Sequence, residues 1–275
     1  MKIRSSAVAG QFYAGDKETL HLNVSQMLDS AESLAFSSTV KGIIAPHAGY
    51  IFSGQQAAKA YRQVLGQSFR TVCVISPSHQ EYFPFISVYD GDAYQTPLGL
   101  VAIDAELRDD SVKFSGVKCS SRGHGLEHAL EVQIPFLQAT LRAGFQLLPL
   151  VMGMQTEETL IQLTDLVSSL SVRYGDEILF VASTDLSHFH GYKHAMKLDL
   201  QVVEMLNRLE TDRLWKALKE DKVEACGGGP MVGMVKGLLA ACPALKIISL
   251  GYMNSGDVIP DKGSVVGYTS ALLYE

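Results

Sequence analysis

Short apolar runs alternate with longer amphipathic segments along most of this 275-residue chain. The apolar runs are rich in Val, Ile, Leu and Phe and have the length of buried β-strands: residues 42–45, 71–76, 145–150, 177–182 and 245–250. The segments between them repeat apolar residues every three or four positions, which predicts helices: residues 53–65, 126–142, 156–172, 194–209 and 230–241. This alternation favours an α/β fold with a largely parallel or mixed central sheet flanked by helices.

Residue types at the element ends agree with this pattern. Three residues are of types that cap helix amino termini and three glycines follow predicted helix ends: Ser53, Thr156 and Thr211, then Gly66, Gly144 and Gly175. No linker, internal repeat or shift in composition divides the chain, so we expect a single domain over residues 1–275. Residues 83–103 contain Gly91, Pro97 and Gly99 and are expected to leave the main sheet as a hairpin-like excursion.

Charge and composition argue against several classes of protein. With 47% hydrophobic and 19% charged residues, the chain has the composition of an ordinary globular protein. A net charge of −6 without any run of Lys or Arg predicts no nucleic-acid partner. No stretch has the length of a transmembrane helix and the first residues lack a signal-peptide core, so we expect no membrane association and a cytoplasmic location. The four cysteines form no CxxC pair, which agrees with a reducing compartment.

Three histidines, His47, His79 and His188, each lie shortly after a predicted strand. Ligands of such folds bind at the edge where the carboxyl ends of parallel strands meet, so we expect the three side chains to lie close together. One histidine at a strand end is commonly a surface or capping residue. Three at equivalent positions also fit a transition-metal site, because neutral imidazole is the commonest ligand for such ions.

A cysteine in a glycine-rich turn is the next ligand candidate. Cys226 stands in the sequence Ala-Cys-Gly-Gly-Gly-Pro, directly before the predicted helix at 230–241. The glycines allow the backbone to approach another element closely, and Pro230 suits a first helical turn. Because free N–H groups at a helix amino terminus stabilise a thiolate, Cys226 is predicted to be nucleophilic or to bind a metal. The alternative is a glycine-rich turn with an incidental cysteine.

An aspartate accompanies the third of these histidines. Asp185 and His188 are three residues apart and follow the same predicted strand. Asp185 could orient the imidazole and stabilise its protonated form, which is the arrangement that general acid–base catalysis requires. The same spacing equally allows Asp185 to cap the turn that follows.

A second motif suggests different chemistry. His124, Glu127 and His128 match H-x-x-E-H, a zinc-peptidase pattern that requires both histidines on one face of a continuous helix. The segment before Leu126 contains two glycines and is a poor helix former, so a zinc peptidase is a minor alternative. Glu127 and His128 are instead expected in the first turn of the 126–142 helix, where they face the same cleft as the strand-end histidines. Glu131 and Gln133 have a simpler interpretation as solvated helix surface.

At these residues the chain resembles the Memo family, whose prokaryotic members form the Memo component of the AmmeMemoRadiSam system. The resemblance covers nearly the whole chain, and each motif is short, but many occur in order. They are AVAGQFY (7–13), APHAGY (45–50), PSH (77–79), TPLG (96–99), EHALEVQIPF (127–136), STDLSH (183–188), CG (226–227), SGDV (255–258) and VVGY (265–268). The resemblance implies a fold shared with class III extradiol ring-cleavage dioxygenases, which hold Fe(II) with two His and one Glu.

Carried over by this resemblance, His47 and His79 match the two histidine ligands of the dioxygenases. His188 matches their acid–base histidine, Asp185 belongs to the same family motif, and Cys226 falls where the dioxygenases have their glutamate. A thiolate in place of a carboxylate softens the site and favours copper(I), zinc or a redox-active iron. Ring cleavage is therefore not inherited safely; Fe(II) is the expected metal, with copper or zinc as alternatives.

The resulting hypothesis is a metal-dependent redox protein with iron or copper on two histidines and one cysteine. Tyr50, Glu127 and His128 are expected to line its substrate pocket, and AmmeMemoRadiSam proteins are expected as partners. The rival hypothesis is a non-catalytic module that binds a peptide or small metabolite in the same cleft, lined by Tyr13, Tyr50 and the histidines. The sequence leaves open whether the protein is an enzyme.

Overall fold

The secondary structure follows the alternation of the sequence closely. The computed structural model describes residues 1–34 and 38–275. The strands in these residues are β1 (Ile3–Arg4), β2 (Val40–Ala45), β3 (Thr71–Pro77), β4 (Ile86–Val88), β5 (Ala93–Thr96), β6 (Gly99–Ala102), β7 (Val117–Cys119), β8 (Gln146–Met152), β9 (Ile178–Ser183), β10 (His188–His190), β11 (Lys246–Asn254) and β12 (Val265–Tyr274). The helices are α1 (Lys17–Ser30), α2 (Tyr50–Arg62), α3 (Ala105–Ser111), α4 (Gln133–Thr140), α5 (Glu157–Tyr174), α6 (Tyr192–Asn207), α7 (Thr211–Lys219) and α8 (Gly228–Ala241).

Nine of these strands form one mixed sheet in the order β10–β12–β2–β9–β3–β8–β4–β7, with β11 paired to β12. Its centre, β2–β9–β3–β8, is parallel, as predicted, and β12 and β4 flank that centre in antiparallel pairs. Ala45 is in register with Ser183, and Ile75 with Ala182. The carboxyl ends of β2, β9 and β3 therefore coincide, so the residues that follow them emerge at one edge.

Helices cover both faces of this sheet, and alternate strand residues form two cores. Ile43 and Val181 pack with α1, α2 and α4 on one face, whereas Ile44 and Phe180 pack with α5 and α8 on the other. All four side chains are fully buried. The α/β prediction of a mixed sheet flanked by helices in one domain is confirmed.

Two helix termini behave as their sequences predict. Thr156 caps α5: its side chain accepts a hydrogen bond from the Thr159 backbone N–H, and the Thr159 hydroxyl accepts one from the Thr156 N–H. Gly175 ends the same helix with φ of +52°, in the left-handed region that favours glycine. The helix predicted at residues 156–172 therefore has the expected signals at both ends.

Other predicted helix starts were wrong. Ser53 lies inside α2, which begins three residues earlier because the Phe12 carbonyl accepts the Tyr50 N–H. Thr211 is the first residue of α7 rather than its cap. Residues 126–128 are not helical, residues 129–132 form a turn, and α4 begins only at Gln133. Pro135 accounts for this, since it has no N–H to donate to the carbonyl four residues earlier and its ring crowds that carbonyl.

The excursion predicted for residues 83–103 is correct only in its second half. β5 and β6 form a hairpin that joins β1 in a separate three-stranded sheet. β4, by contrast, returns to the main sheet and pairs antiparallel with β8. Among the described residues, no helix is both long and apolar enough to cross a bilayer.

Candidate metal centre

The residues that follow β2, β3 and β9 meet at one edge of the sheet, as the sequence predicted. His47 lies two residues beyond β2, His79 two residues beyond β3, and Asp185 two residues beyond β9. Cys226 reaches the same edge from the turn before α8. Gly227 makes this approach possible, because a Cβ at that position would collide with the Ser183 carbonyl oxygen.

His47, His79 and Cys226 form a group that is able to hold a metal ion. One ligand atom from each lies within 4.8 Å of the other two. His47 Nε2 and Cys226 Sγ lie 3.1 Å apart, and the ring centroids of His47 and His79 lie 5.2 Å apart. Two imidazoles and a thiol suit copper, zinc or redox-active iron. The predicted two-histidine, one-cysteine cluster is therefore confirmed.

Hydrogen bonds fix the ring of His47 in the orientation that metal binding requires. The Ser183 hydroxyl donates to the Ala129 carbonyl at 2.6 Å, so its oxygen is left to accept from His47 Nδ1 at 2.9 Å. Gln133 donates a second hydrogen bond to the same hydroxyl, at 2.8 Å. With its proton on Nδ1, His47 presents the Nε2 lone pair to Cys226.

Glu127 holds His79 in a comparable way. One carboxylate oxygen lies 3.0 Å from His79 Nδ1, and the other accepts the His79 backbone N–H. The Ala129 backbone N–H also donates to Glu127, at 2.9 Å. Because Nδ1 faces the carboxylate, Nε2 on the other edge of the ring is left for the His47 and Cys226 side.

The protonation states of the two histidines differ for physical reasons. Burial, with further contributions from His79, His128 and His188, holds the pKa of His47 well below its usual value, so this imidazole is neutral. Burial also opposes the charged form of His79, but the hydrogen bond and charge of Glu127 outweigh it and raise the His79 pKa. A metal ion therefore competes with a proton at His79 more than at His47.

The thiolate predicted from the helix position of Cys226 is not supported in the metal-free protein. Burial raises the pKa of the Cys226 thiol and the nearby Asp185 carboxyl raises it further, while hydrogen bonds from the Asp185 backbone N–H, Thr184 and the Gly227 backbone only partly oppose the shift. The position itself is as predicted, two residues before α8. The helix amino terminus is thus too weak to ionise this thiol, whereas a bound cation reverses that balance.

Asp185 and His188 lie beside the cluster but not in the predicted pairing. The Asp185 carboxylate accepts the His47 backbone N–H at 2.7 Å, so it stabilises the turn after β2. Burial raises the pKa of this carboxyl to about 7 against the opposing backbone hydrogen bonds of His47 and Ala48. Burial lowers the pKa of His188. Both side chains line the cleft next to the metal-binding group. Their acid–base role stays a prediction.

Two cavities open at this edge and share His188. One, of about 440 Å³, has apolar walls that include Phe12, Phe52 and Tyr268, with His128 and Asp185 among its polar residues. The second, of about 370 Å³, is lined by Cys226, Glu224, Lys219 and Trp215. Trp215 is the only tryptophan of the chain, and its indole N–H donates to Glu157.

The tyrosines that were expected to line the cleft are buried, and their hydroxyl groups form hydrogen bonds within the protein. Tyr50 is buried and its hydroxyl donates to the Val132 carbonyl at 2.6 Å. Tyr13 is also buried and donates to the Glu131 carboxylate. Phe12, which the sequence analysis did not single out, lines the cleft instead and packs its ring 4.7 Å from that of His128. Substrate binding by Tyr50 stays a prediction.

Glu131 and Gln133 are buried, which corrects the interpretation of both as solvated surface. Glu131 forms an ion pair with buried Arg4 and accepts the backbone N–H groups of Ala7 and Val8. It thereby fixes the amino-terminal loop that carries Phe12. The Gln133 oxygen accepts from the Tyr61 hydroxyl and its nitrogen donates to Ser183, which links the α4 start to His47.

The zinc-peptidase alternative is wrong. No helix runs through His124, Glu127 and His128. His124 is buried away from the cluster, where Nδ1 accepts from the Tyr94 hydroxyl at 2.6 Å and Nε2 donates to the Ser87 carbonyl at 3.2 Å. Burial lowers the pKa of His124 to about 3. Both nitrogens are therefore occupied by the protein itself.

Ser183 and Gln133 are the positioning residues that sequence reasoning missed. Both stand inside motifs that carried the family resemblance, at 183–188 and 127–136. That was the only available signal, because a serine at a strand end and a glutamine near a proline have many structural explanations. Their contact joins residues fifty positions apart and exists only in the folded chain.

Comparison with known proteins agrees with the motif resemblance. The sequence profile of a family described as "Memo-like protein" matches residues 4–272. The chain belongs to the Memo-like family. A MEMO1 family protein of Methanosarcina barkeri is 34% identical over 271 residues, covering 98% of this chain and all of that protein. MEMO1 family proteins of Aquifex aeolicus and Thermoplasma acidophilum are 34% and 31% identical, each with at least 97% of both chains covered.

The matched region, residues 4–272, contains the positions of all the candidate ligands. The names of these relatives state no reaction. The chemistry must therefore be argued from the site itself.

Proposed function

We propose that this Memo-like protein is a metal-dependent redox protein whose iron, or alternatively copper, is held by His47, His79 and Cys226. The observation that carries the proposal is the convergence of these three ligand atoms within 4.8 Å at the carboxyl edge of the sheet. Zinc is the redox-silent alternative for the same ligands. The location we propose is the cytoplasm, since all four cysteines are free thiols.

The donor set fits such an ion in its chemistry as well as its spacing. His47 is neutral and hydrogen-bonded so that Nε2 is available, and Glu127 leaves Nε2 of His79 available. Ligands at about 2.0–2.3 Å from one ion lie roughly 3.3–3.6 Å apart in a tetrahedral site. The 3.1 Å between His47 Nε2 and Cys226 Sγ needs to open by only a few tenths of an ångström.

A bound iron or copper ion would supply one-electron redox chemistry at this site. The chain's own residues then bind and orient a small molecule beside it. Phe12, Phe52 and Tyr268 exclude water from one wall of the cleft, and His188 lies at its polar end. Asp185 and His188 hold or donate a proton there, as suits groups placed beside a reacting molecule. We also propose that the protein shares its fold with class III extradiol dioxygenases and that its partners are proteins of the AmmeMemoRadiSam system.

Metal content tests the proposal directly. The full chain is purified anaerobically without an affinity tag, from cells supplied with iron and copper, beside His47→Ala and Cys226→Ser. We expect near-stoichiometric iron or copper in the wild type and background levels in both variants by elemental analysis. His194→Ala, an exposed histidine on α6, is the matched control and is expected to keep the metal. Neither metal in the wild type, or unchanged content in His47→Ala, overturns the proposal.

The second candidate function is a binding module without turnover. It is favoured by the apolar walls of the 440 Å³ cleft and by the exposure of Ile51, which is 75% accessible at its mouth. Such a module binds a peptide or metabolite stoichiometrically and consumes no oxygen. Oxygen uptake is measured with the metal-loaded protein during ligand screening. Uptake that depends on the ligand supports the redox function, and stoichiometric binding without uptake supports the binding module.

A further inference from the structure

We infer that His79, Glu127 and His128 form a second cation subsite, which shares His79 with the first site and takes a borderline divalent ion such as Zn²⁺. This inference rests on the proposed function, because His79 is also a ligand of the proposed redox metal. One ligand atom from each of the three residues lies within 4.8 Å of the other two. No residue of this group other than His79 belongs to the first site.

The distances around Glu127 match the ligand spacing of a metal site. A single carboxylate oxygen, Oε1, lies 3.0 Å from His79 Nδ1 and 3.4 Å from His128 Nδ1. Ligands at about 2.1 Å from one ion in a tetrahedral site lie roughly 3.4 Å apart. An ion placed between these three atoms therefore needs only small side-chain adjustments.

The carboxylate is held in place independently of the two rings. The His79 backbone N–H donates to Oε2, and the Ala129 backbone N–H donates to Oε1. The Glu127 side chain is also 99% buried, so it cannot swing into water. These contacts keep Oε1 beside both imidazoles whether or not an ion is bound.

His128 is the observation that distinguishes a cation subsite from a simple clamp on His79. Among the described residues its only polar side-chain contact is with Glu127 Oε1, at 3.4 Å, a distance too long for a good hydrogen bond. Its ring stacks on that of His79 at 4.9 Å, and its side chain is 18% exposed in the cleft. A positioning role for Glu127 requires only His79. Such a role does not explain why the His128 ring has no good hydrogen bond among the described residues.

The chemistry of the shared histidine allows both ions. His79 Nδ1 contacts Glu127, so we assign Nε2, on the opposite edge of the ring, to the first site. His79 Nδ1 and Glu127 Oε1 lie 3.0 Å apart, the distance of a hydrogen bond. A second cation would displace the hydrogen shared by these two atoms and release it as a proton. Zn²⁺ readily binds two imidazole nitrogens and a carboxylate oxygen, and it does not oxidise or reduce these ligands.

Zinc stoichiometry tests this inference with the full-length protein. Metal-free chain is titrated with Zn²⁺ alone by calorimetry, and bound zinc is measured by elemental analysis after gel filtration. We expect two zinc ions per chain in the wild type, one in His128→Ala, one in Cys226→Ala, and none in the double variant. His21→Ala, an exposed histidine on α1, is the matched control and is expected to bind two. Circular dichroism confirms that each variant is folded.

Cobalt identifies which ion is lost. Because only the first site contains a thiolate, the sulfur-to-cobalt absorption band should persist in His128→Ala and disappear in Cys226→Ala. One zinc in the wild type, lost in Cys226→Ala and kept in His128→Ala, overturns the second subsite and leaves the proposed function standing. No zinc in the wild type also overturns the second subsite, whereas the iron and copper content described above decides the proposed function separately.

Discussion

Two histidines four residues apart, His124 and His128, have opposite environments in this Memo-like protein. His124 is buried, and Tyr94 and Ser87 occupy its two ring nitrogens. His128 stands in the cleft with one long contact to Glu127. Their surroundings differ in the same way: Arg4 forms an ion pair with Glu131, whereas the ring nitrogens and the thiol near His47 converge on one point.

This difference teaches where to look for chemistry in a chain with eight histidines. Burial and a nearby carboxylate are found in both regions, so neither identifies a binding site. What distinguishes the cleft is a set of nitrogen and sulfur atoms that lie within 4.8 Å of one another, close enough for one ion to contact all of them. We therefore expect substitutions near Arg4 to change the free energy of unfolding and substitutions near His47 to change metal affinity.

The largest expected effect on stability comes from the buried ion pair. Glu131→Gln leaves the Arg4 guanidinium without its counter-charge, and removal of one partner of a buried pair costs about 3–5 kcal/mol. Urea denaturation of the metal-free protein measures the change in free energy of unfolding. Glu204→Gln removes one partner of an exposed pair and is the control. A loss of unfolding free energy no larger than that of the control would show that the Arg4–Glu131 ion pair does not stabilise the fold.

The next effect concerns affinity rather than stability. Ser183→Ala removes the hydroxyl that accepts from His47 Nδ1, and loss of such a hydrogen bond behind a ligand typically weakens metal binding 10–100-fold. Competition with a chelator of known affinity measures the change. Ser87→Ala deletes another buried serine hydroxyl, far from His47, and should leave affinity unchanged. Equal affinities in the wild type and Ser183→Ala would mean that His47 needs no such orientation.

The smallest effect is a pH dependence of stability that belongs to His124. Its pKa is about 3 in the folded protein and about 6.5 when unfolded, so below pH 6.5 the unfolded chain binds one more proton. Between pH 6.5 and 5.5 this group should therefore destabilise the fold by about 1 kcal/mol. Comparing unfolding free energies of the wild type and His124→Asn at these two pH values isolates that contribution. Parallel pH profiles would contradict the burial of a neutral imidazole.

The ligand group was predictable because strand ends are marked in the sequence. An apolar run followed directly by Pro-His or Ser-Thr-Asp identifies the edge, and parallel strands bring such edges together. The burial of Glu131 was not predictable, since its partner Arg4 lies 127 residues away. Nor was the protonated thiol of Cys226, because the helix terminus is visible in the sequence but burial and Asp185 are not.

Trp215 gives the molecule an optical reporter of its own. It is the only indole in the chain and shares a cavity wall with Cys226 and His188. Its emission therefore comes from beside the candidate centre, without labels and without background from other tryptophans. Iron and copper quench nearby indole fluorescence far more than zinc does, so one emission spectrum distinguishes a redox-active ion from a silent one.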